Sequence, residues 1–536
     1  MRMMHAGRAS STLAALLFAC AACSAPERPP ETAVIASGAD LESANPLVTV
    51  HPLSRQVQRH ALFVTLVRLD SLLQPVPYYA TRWQWDDARK SLTFYLCANL
   101  KWHDSISTTA RDVQFTYNSA RDKALGSPRA GDLSQVTSVN ITNDTTVVFE
   151  FATPQSMLPV IFAELPLVPL HLLQSVPLKD WRTNVFSTHP VGNGPFKFAE
   201  RVAGRRWRFV RNEKFPTGMG GPPKLAQFVI AVVDEPSTKF AGLVSGELDM
   251  AGISPSMAKL VADDKSLVLV THPALFSTVI AFNTTRPPFD DSRVRRAIAI
   301  SINRRRLIDA AIAGYATPAG GAIPPGVPVA DSRVPEFNTV LADSLLTAAG
   351  WTLNANHQRA RTGSELRIKL ITVGSGDMAI EQLIQADLRD RGIQVDLQTR
   401  ELATFLGLVR AEKKEFDAAY AGIPGDLALG HVSAMFHSSQ RGGALDYTGF
   451  HNATLDQLLN NARTAEAGNA ASVAWHAVDS LLIAESPVAW IYHARGVQGL
   501  SRKLEHVTLD LRGELTTISQ WTRESGASTG QQGARP

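Results

Sequence analysis

The chain has 536 residues, with 53 lysines and arginines against 49 aspartates and glutamates, so its formal charge is +4. This length exceeds the ~250–300 residues over which one hydrophobic core usually grows, so we expect at least two domains. Hydrophobic residues make up 45% and charged residues 19%, values that exclude a largely disordered or collagen-like chain. The small positive charge gives no argument for nucleic acid as a partner.

The first thirty residues are typical of an export signal. Two arginines precede an apolar stretch, residues 13–22, which is too short to span a bilayer but has the length of a signal h-region. Cys23 follows two alanines at the end of this stretch, and small residues before a cysteine resemble the bacterial lipobox. The sequence therefore predicts a lipoprotein signal peptide over residues 1–22 and lipidation of Cys23. Lipidation of Cys20 and ordinary signal cleavage are the alternatives.

The first part of the mature chain alternates strand and helix patterns, as an α+β domain does. Apolar residues alternate over 92–96 and 147–151, which predicts two strands. Between them, Thr109 and Asp112 have capping-box spacing at the start of a predicted helix. A hairpin is predicted around Gly204, between two further strand patterns.

From about Thr285 the pattern changes to that of a parallel α/β unit. Apolar residues alternate over 366–370, follow helical spacing over 380–388 and alternate again over 393–397. The order strand, helix, strand favours parallel pairing. The arginine-rich segment 293–306 is predicted as an amphipathic helix with a solvated charged face, and a phosphate-binding surface is the alternative.

The sequence lacks the common patterns of catalysis and metal binding. HExxH, GxxxxGK[ST] and GxGxxG are absent, and the one GxSxG match, residues 526–530, lies in the polar C-terminal stretch and not at a predicted strand-to-helix turn. His431, His437 and His451 lie near one another, but their spacing suits neither a one-face helical pair nor a zinc finger. Cys97 has no disulfide partner in the lipidated chain, and we expect it to pack as a small hydrophobic residue. These features favour a binding protein without cofactor or metal over an enzyme.

Six sequence blocks carry a resemblance to a known family. In chain order they are Trp83 to Asp86 with residues 92–96, Lys101-Trp102-His103-Asp104 with Thr109 to Phe115, Pro190 to Phe196, Gly246 to Asp249, Phe282 to Ile298, and Ala348 to Trp351. Together they resemble family 5 of the bacterial extracellular solute-binding proteins, the peptide- and nickel-type receptors of ABC importers. The resemblance extends over about residues 40–495.

Most of these blocks are expected to have structural roles. Trp102 is predicted to lie in the core, and Asp291 is predicted to cap the arginine-rich helix. Gly192 and Gly194 are expected to adopt backbone angles that other residues avoid.

The resemblance implies an α/β, two-lobed fold like that of the periplasmic binding proteins (type II, cluster C-like), with an extra α+β domain on the first lobe. The predicted segments are residues 31–55, 187–285 and 491–522 for the first lobe, 56–186 for the extra domain, 286–490 for the second lobe and 523–536 for a disordered tail. We expect the chain to cross between the lobes at residues 284–286 and at Tyr492-His493, and the lobes to close on a solute about this hinge.

The segment of residues 416–427 decides which solute is expected. In peptide-binding members of the family, the corresponding segment carries a tryptophan and acidic residues, one of which pairs with the α-amino group of the peptide. Here the tryptophan is missing, and Asp426 is the only acid in the loop after Tyr420. Asp426 is a candidate ligand contact because a buried ammonium group needs an anionic partner, with a plain turn residue as its alternative role. Tyr420 is the second candidate for lining the cleft.

The resemblance thus implies a receptor that delivers a solute, with a peptide favoured, to the permease of an ABC importer. It would be a monomer in the periplasm or cell envelope, held at a membrane by a lipid. The altered loop leaves open a receptor for an oligosaccharide or a metal chelate. A sensor or chaperone that has lost transport, or an exported hydrolase on the same scaffold, is a further alternative.

Overall fold

A computed structural model describes residues 29, 31–49, 51–155, 157–330, 334, 336–373, 378–466 and 468–524. The predicted signal peptide with Cys20, the lipidation candidate Cys23 and most of the predicted tail lie outside these residues. Within the described ranges, no helix combines the length and the apolar character that a membrane span needs.

The strands of the described ranges are numbered in chain order. They are β1 (Thr32–Ser37), β2 (Val67–Leu69), β3 (Pro75–Pro77), β4 (Ala80–Trp85), β5 (Ser91–Leu96), β6 (Val136–Asn143), β7 (Thr146–Phe151), β8 (Phe196–Val202), β9 (Arg206–Arg211), β10 (Gln227–Val232), β11 (Met250–Gly252), β12 (Leu267–Phe282), β13 (Ala316–Pro318), β14 (Thr352–Leu353), β15 (Arg359–Arg361), β16 (Ser364–Glu365), β17 (Arg367–Val373), β18 (Gln394–Arg400), β19 (Ala418–Pro424), β20 (Val488–Ser501), β21 (Leu504–Glu505) and β22 (Thr522–Arg523).

The α-helices of the same ranges are α1 (Pro52–Val57), α2 (Ala110–Arg121), α3 (Ile161–Glu164), α4 (Leu170–Leu173), α5 (Pro236–Ser245), α6 (Ala258–Asp263), α7 (Ser292–Ile300), α8 (Arg304–Ala311), α9 (Thr339–Ala348), α10 (Ala379–Arg389), α11 (Leu402–Arg410), α12 (Gly430–Phe436), α13 (Ala453–Thr464) and α14 (Asn469–Glu485).

One large sheet runs through both lobes. Its strand order is β18-β17-β19-β12-β20-β11-β1-β10-β9-β8, and β13 pairs with β20. In the first lobe β1 is parallel to β10 and β11, whereas β8 and β9 form the predicted hairpin, with Gly204 at a φ of +67°. In the second lobe β17, α10 and β18 form the predicted parallel unit. The sheet therefore joins the two lobes through its central strands.

The extra domain is a four-stranded antiparallel sheet, β4-β5-β7-β6, with α2 against it. The predicted capping box of Thr109 and Asp112 is present at the start of α2. Tyr117 of α2 packs edge-on against Phe149 at 4.9 Å between ring centroids. These rings, the buried Trp102 and the half-buried Cys97 belong to one hydrophobic core that the extra domain shares with the first lobe.

The central strands β12 and β20 cross from one lobe to the other. Their register shifts between Pro273 and Ser277, and Ser277 faces His493 across the pair. Beyond the shift, Val279 packs in the core of the second lobe. Thr284 lies beyond this point, and its N–H donates to Thr448 of the second lobe. The first crossing therefore comes earlier in the chain than residues 284–286, because β12 itself spans both lobes.

The two glycines near residue 193 have a different role from the predicted one. Neither Gly192 nor Gly194 is among the glycines with positive φ. Instead, both lie against the backbone of residues 61–63, where a Cβ at Gly194 would come within 2.5 Å of the Ala61 carbonyl oxygen. Glycine is needed here because two backbone segments approach closely, so the prediction based on backbone angles is wrong.

The arginine-rich segment is also less exposed than predicted. Asp291 caps α7 as expected, through a 2.9 Å hydrogen bond from the N–H of Arg293. However, Arg295 and Arg304 are buried and donate to backbone carbonyl groups of Phe289 and Trp490. These two guanidinium groups hold loops and strands together, so the charged face is only partly solvated.

The ordered chain reaches into the predicted tail. Arg523 belongs to β22, and its Nε lies 2.8 Å from a carboxylate oxygen of the fully buried Asp249. The start of the predicted tail is therefore wrong at Arg523, because an ion pair fixes this residue to the first lobe.

Candidate functional site

The cleft between the lobes lies at the carboxyl ends of the parallel strands. In the first lobe β1 and β11 end there, and in the second lobe β17 and β19 end there, on either side of the crossing of β12 and β20. Open α/β sheets bind ligands at such strand ends. On the first-lobe side a pocket of about 340 Å³ includes Ser37, His51, Lys239, Gln498 and Glu514 in its lining.

A buried group of charged side chains connects the extra domain and α1 with the second lobe. We call it the interlobe cluster, and its members are Arg55, Arg59, Arg129, Asp132, Glu164, Asp426 and His431. The carboxylate of Glu164 forms ion pairs with Arg129 at 2.8 Å, Arg59 at 3.2 Å and Arg55 at 3.4 Å, and its side chain is only 2% exposed. Asp132 lies 3.0 Å from Nε of Arg129.

Asp426 is the anionic member that the second lobe supplies. Its carboxylate accepts the backbone N–H groups of Gly430 at 3.0 Å and His431 at 3.1 Å, and its side chain is 12% exposed. At the same contact, Arg463 of the second lobe donates to the carbonyl group of Gly131 in the extra domain at 3.2 Å. The extra domain and the second lobe thus touch directly beside Asp426.

The pKa values of the three carboxyl groups follow from burial and from this charge pattern. Burial favours the neutral form of Glu164, but its three arginine partners outweigh burial and hold the pKa of Glu164 below its usual value. Burial is likewise outweighed at Asp426, where His431 and Arg129 hold the pKa well below its usual range. At Asp132, burial and the negative charges of Asp426 and Glu164 raise the pKa to about 6, although the positive charge of Arg129 opposes the rise.

The structure does not bring the two predicted ligand contacts together. Tyr420 of β19 packs with Tyr492 against the second-lobe core that contains Ile280 and Phe282. Burial, followed by the nearby Tyr492, raises the pKa of Tyr420. Asp426 leads into α12, which packs against the opposite face of the same sheet. Of the two candidates, Asp426 lies at the contact between the lobes.

Several polar side chains at the crossing strands have no signal in the sequence. Ser277 and His493 are both buried, and the Ser277 hydroxyl lies 2.8 Å from Nδ1 of His493. His272 and Glu514 lie 3.7 Å apart near the first-lobe pocket. These residues are separated by more than two hundred positions in the chain and follow no spacing rule, so only the strand pairing reveals them.

The three histidines near residue 440 each lie beside a different aspartate. His431 is next to Asp426, His437 is 4.0 Å from Asp456 and His451 is 3.7 Å from Asp446. In the ranges that the structure describes, no group of three or more histidine, cysteine, aspartate or glutamate side chains is arranged to hold a metal ion.

Two lobes that meet at a polar cleft, joined by continuous strands, define a solute-binding protein of the periplasmic type. The family model "Bacterial extracellular solute-binding proteins, family 5 Middle" matches residues 74–443. The chain belongs to this family, which confirms the resemblance and the two-lobed fold predicted from the sequence.

The comparison with individual proteins gives the same picture. The oligopeptide-binding protein AppA of Bacillus subtilis is 25% identical over 435 residues, which is 79% of either chain. A peptide-binding protein assigned to an ABC transporter in Brucella ovis is 27% identical over 343 residues, and the aligned part spans only 62% of either chain.

Solved structures with the same fold include two with different ligands. AppA of Bacillus subtilis in complex with a nonapeptide matches with a TM-score of 0.80 at 23% identity, covering 92% of this chain and 99% of that one. NikZ of Campylobacter jejuni in complex with Ni(L-His) also has a TM-score of 0.80, at 20% identity, covering 92% of this chain and 100% of NikZ. One fold thus accepts chemically different solutes, so the fold does not name the solute.

Proposed function

We propose that this protein is the receptor of an ABC importer and delivers a peptide to the permease. The observation that carries this proposal is the cleft at the crossing of β12 and β20, where strand ends of both lobes meet. The names of the relatives support a peptide as the solute, since AppA of Bacillus subtilis is an oligopeptide-binding protein and GsiB of Escherichia coli a glutathione-binding protein. The membership in a family of binding proteins favours this role over catalysis.

Native mass spectrometry of the purified protein tests the proposal most directly. A buried ligand is expected to stay bound during purification and to add a mass that denaturation releases. Titration calorimetry with peptide pools of two to nine residues follows. Binding of any pool supports the proposal, whereas a retained non-peptide solute together with no response to the pools would refute it.

Hinge closure is part of the same proposal. We expect a smaller radius of gyration in small-angle scattering when the receptor is saturated, because the lobes rotate about the crossing strands. The lobe division proposed from the sequence, with the first crossing moved to residues 273–277, predicts that this change is a rigid rotation. Identical scattering curves with and without a bound solute would contradict it. Size-exclusion chromatography of the same samples tests the proposed monomer.

Asp426 is proposed as the partner of the peptide's amino group, and Tyr420 as a second contact. The alternative, a solute without a free amino terminus such as an oligosaccharide or a metal chelate, is favoured by one observation. The carboxylate of Asp426 is already engaged by Gly430, His431 and the charge of Arg129. Titration with a peptide pool and its N-acetylated counterpart separates the two. Weaker binding of the acetylated pool, and loss of this difference in Asp426→Asn, would support the amine contact.

The lipid anchor is a further part of the proposal, and it rests on the sequence alone. Each buried CH₂ of an acyl chain contributes about 0.8 kcal/mol to membrane binding, so two or three chains hold a protein firmly. Cys23→Ser should therefore move the protein from the membrane fraction to the soluble fraction. Cys20→Ser is the matched control, and release by this variant alone would identify Cys20 as the lipidated residue.

A further inference from the structure

Three hydrogen-bond acceptors meet at the first-lobe side of the cleft. They belong to Glu514, Gln498 and His272, which we call the acceptor triad. Nε2 of Gln498 donates to Oε1 of Glu514 at 2.7 Å. This bond fixes the orientation of the amide, since a carboxylate can only accept. The amide oxygen of Gln498 therefore remains, and it has no hydrogen-bond partner among the described residues although the side chain is only 6% exposed.

His272 presents a second acceptor without a partner. Its Nδ1 lies 3.0 Å from the carbonyl oxygen of Pro273, which can only accept, so Nδ1 is the nitrogen that donates. In the tautomer with its proton on Nδ1, Nε2 is an acceptor, and it has no hydrogen-bond partner among the described residues. The residue is 5% exposed, and Nε2 is 3.7 Å from Glu514. A buried polar group without a partner destabilises the fold, so a solute that donates to it is favoured.

The backbone is arranged to hold this triad in place. His272 on β12 faces Gly496 on β20, and the imidazole lies directly across the glycine, so that any Cβ at position 496 would overlap the ring. Gln498 lies two residues further along the same strand, opposite Gly252 of β11. Glu514 and Gln498 both line the first-lobe pocket. His272 and Gln498 are thus held by the sheet next to the crossing of the strands, and Glu514 joins them from a turn outside the sheet.

Glu514 is the carboxylate among the residues that line the first-lobe pocket. Lys239 lines the same pocket. Its Nζ and a carboxylate oxygen of Asp234 both lie beside Gly38, at 3.7 Å and 3.4 Å from the position that a Cβ would take there. The interlobe cluster is balanced internally, with three arginines facing three carboxylates. A solute with a positive charge therefore finds its free acceptors at the triad rather than in the cluster.

We propose that Glu514, Gln498 and His272 form a subsite for a cationic hydrogen-bond donor of the solute, an ammonium or guanidinium group. This rests on the proposed function, since it names a chemical feature of the solute that the cleft binds. The charged group donates to the carboxylate of Glu514, the amide oxygen of Gln498 and Nε2 of His272. In a peptide whose α-ammonium pairs with Asp426, the group at the triad is a basic side chain, and the α-ammonium occupies the triad only if Asp426 does not bind it.

Titration calorimetry with matched tetrapeptides tests the subsite. Three alanine-based pools carry one lysine, one norleucine or one glutamate at each position in turn, and each pool is also prepared N-acetylated. The wild type should show at least one of two preferences. It should bind the lysine pool at least tenfold more tightly than the norleucine pool, or it should bind the free-amine pools at least tenfold more tightly than their acetylated counterparts. The first preference identifies a basic side chain as the ligand and the second the α-ammonium. In Glu514→Gln this preference should fall below about twofold.

Glu213→Gln is the matched control, because the Glu213 side chain is 69% exposed on the same lobe. It should keep the wild-type preference. Gln498→Leu removes one acceptor without a change of charge and should lower the preference severalfold, which also covers the case that Glu514→Gln does not fold. Asp426→Asn should weaken all free-amine pools alike if the peptide proposal with its amine contact is right, and it should leave the preference for lysine intact.

The outcomes separate the subsite from the function. Peptide binding without either preference, or a preference that survives Glu514→Gln and Gln498→Leu, overturns the subsite and leaves the receptor proposal standing. If no peptide binds, the receptor proposal for peptides fails. The subsite is then tested by comparing the affinity of the protein for arginine amide with its affinity for the uncharged citrulline amide. Tighter binding of arginine amide that depends on Glu514 keeps the subsite, whereas equal binding or none removes it.

Discussion

Glu164→Gln is expected to destabilise the protein more than any surface change of the same type. Glu164 is the centre of the interlobe cluster, with three guanidinium groups within 3.4 Å and a side chain that is 2% exposed. The substitution keeps the shape but removes the charge. Breaking a buried charge pair from one side typically costs about 3–5 kcal/mol, because the partner charge stays buried.

The contacts of the arginines place the effect at the lower end of this range. Arg129 keeps Asp132 as a partner, and Arg55 is 27% exposed and can turn toward water. Arg59 loses its carboxylate partner and, with a side chain that is only 13% exposed, gains little contact with water in return. A glutamine oxygen can still accept one hydrogen bond. We therefore expect a loss of about 3 kcal/mol in the free energy of unfolding, which shifts a urea midpoint by about 1 M.

Urea unfolding followed by tryptophan fluorescence measures this loss. Glu200→Gln is the control, since Glu200 also receives two arginines, Arg206 at 3.0 Å and Arg208 at 3.2 Å, but its side chain is 33% exposed. Exposed ion pairs contribute little, so the control should unfold close to the wild type. Equal midpoints for both variants would show that burial does not amplify the charge loss, and this result would refute the reasoning.

The pH dependence of the free energy of unfolding, measured for the wild type and for Glu164→Gln, provides a second check. The pKa of Glu164 is lowered in the folded state, so its charge stabilises the fold at every pH above the unfolded value of about 4.3. This contribution is lost as the pH falls through the lower, folded pKa. The difference between wild type and Glu164→Gln should therefore be full at neutral pH and shrink below about pH 4. A constant difference would mean that it comes from packing.

Three further predictions concern other sites. Gly192→Ala should lower the free energy of unfolding by about 1–3 kcal/mol because its Cβ would overlap the Leu62 carbonyl, whereas Gly218→Ala, with open space around it, should change little in the same urea titration. Burial lowers the pKa of His493 to about 4, so stability should fall by up to about 3 kcal/mol as the pH drops from about 6.5 to 4, and His493→Gln should reduce this loss in urea midpoints measured at both pH values. Asp426→Asn should lower the thermal midpoint measurably, because its carboxylate is engaged at the start of α12, and an unchanged midpoint would place Asp426 in a solvated turn.

Local rules allowed part of the fold to be predicted from the sequence. The hairpin at Gly204, the capping box of Thr109 and the parallel unit of β17, α10 and β18 depend on neighbouring residues and on apolar periodicity, and the structure confirms all three. The family resemblance carried the two-lobed architecture. These features are encoded within segments of a few to some thirty residues.

The contacts between distant segments could not be predicted in this way. The close approach behind Gly194, the burial of Arg295 and the span of β12 across both lobes depend on partners far away in the chain. A lone glycine or arginine has the same local pattern whether it is exposed or packed. Their sequence context therefore predicts only a local role for these residues.

The candidate site divides in the same way. The sequence by itself determined that Asp426 follows a predicted strand and is the only acid in the loop after Tyr420. Only the tertiary structure decided that Asp426 meets Arg129 of the extra domain, and that His272, Gln498 and Glu514 converge on one wall. The physical reason is that charge pairing and desolvation depend on distances in space, and the crossing strands set these distances after the chain has folded.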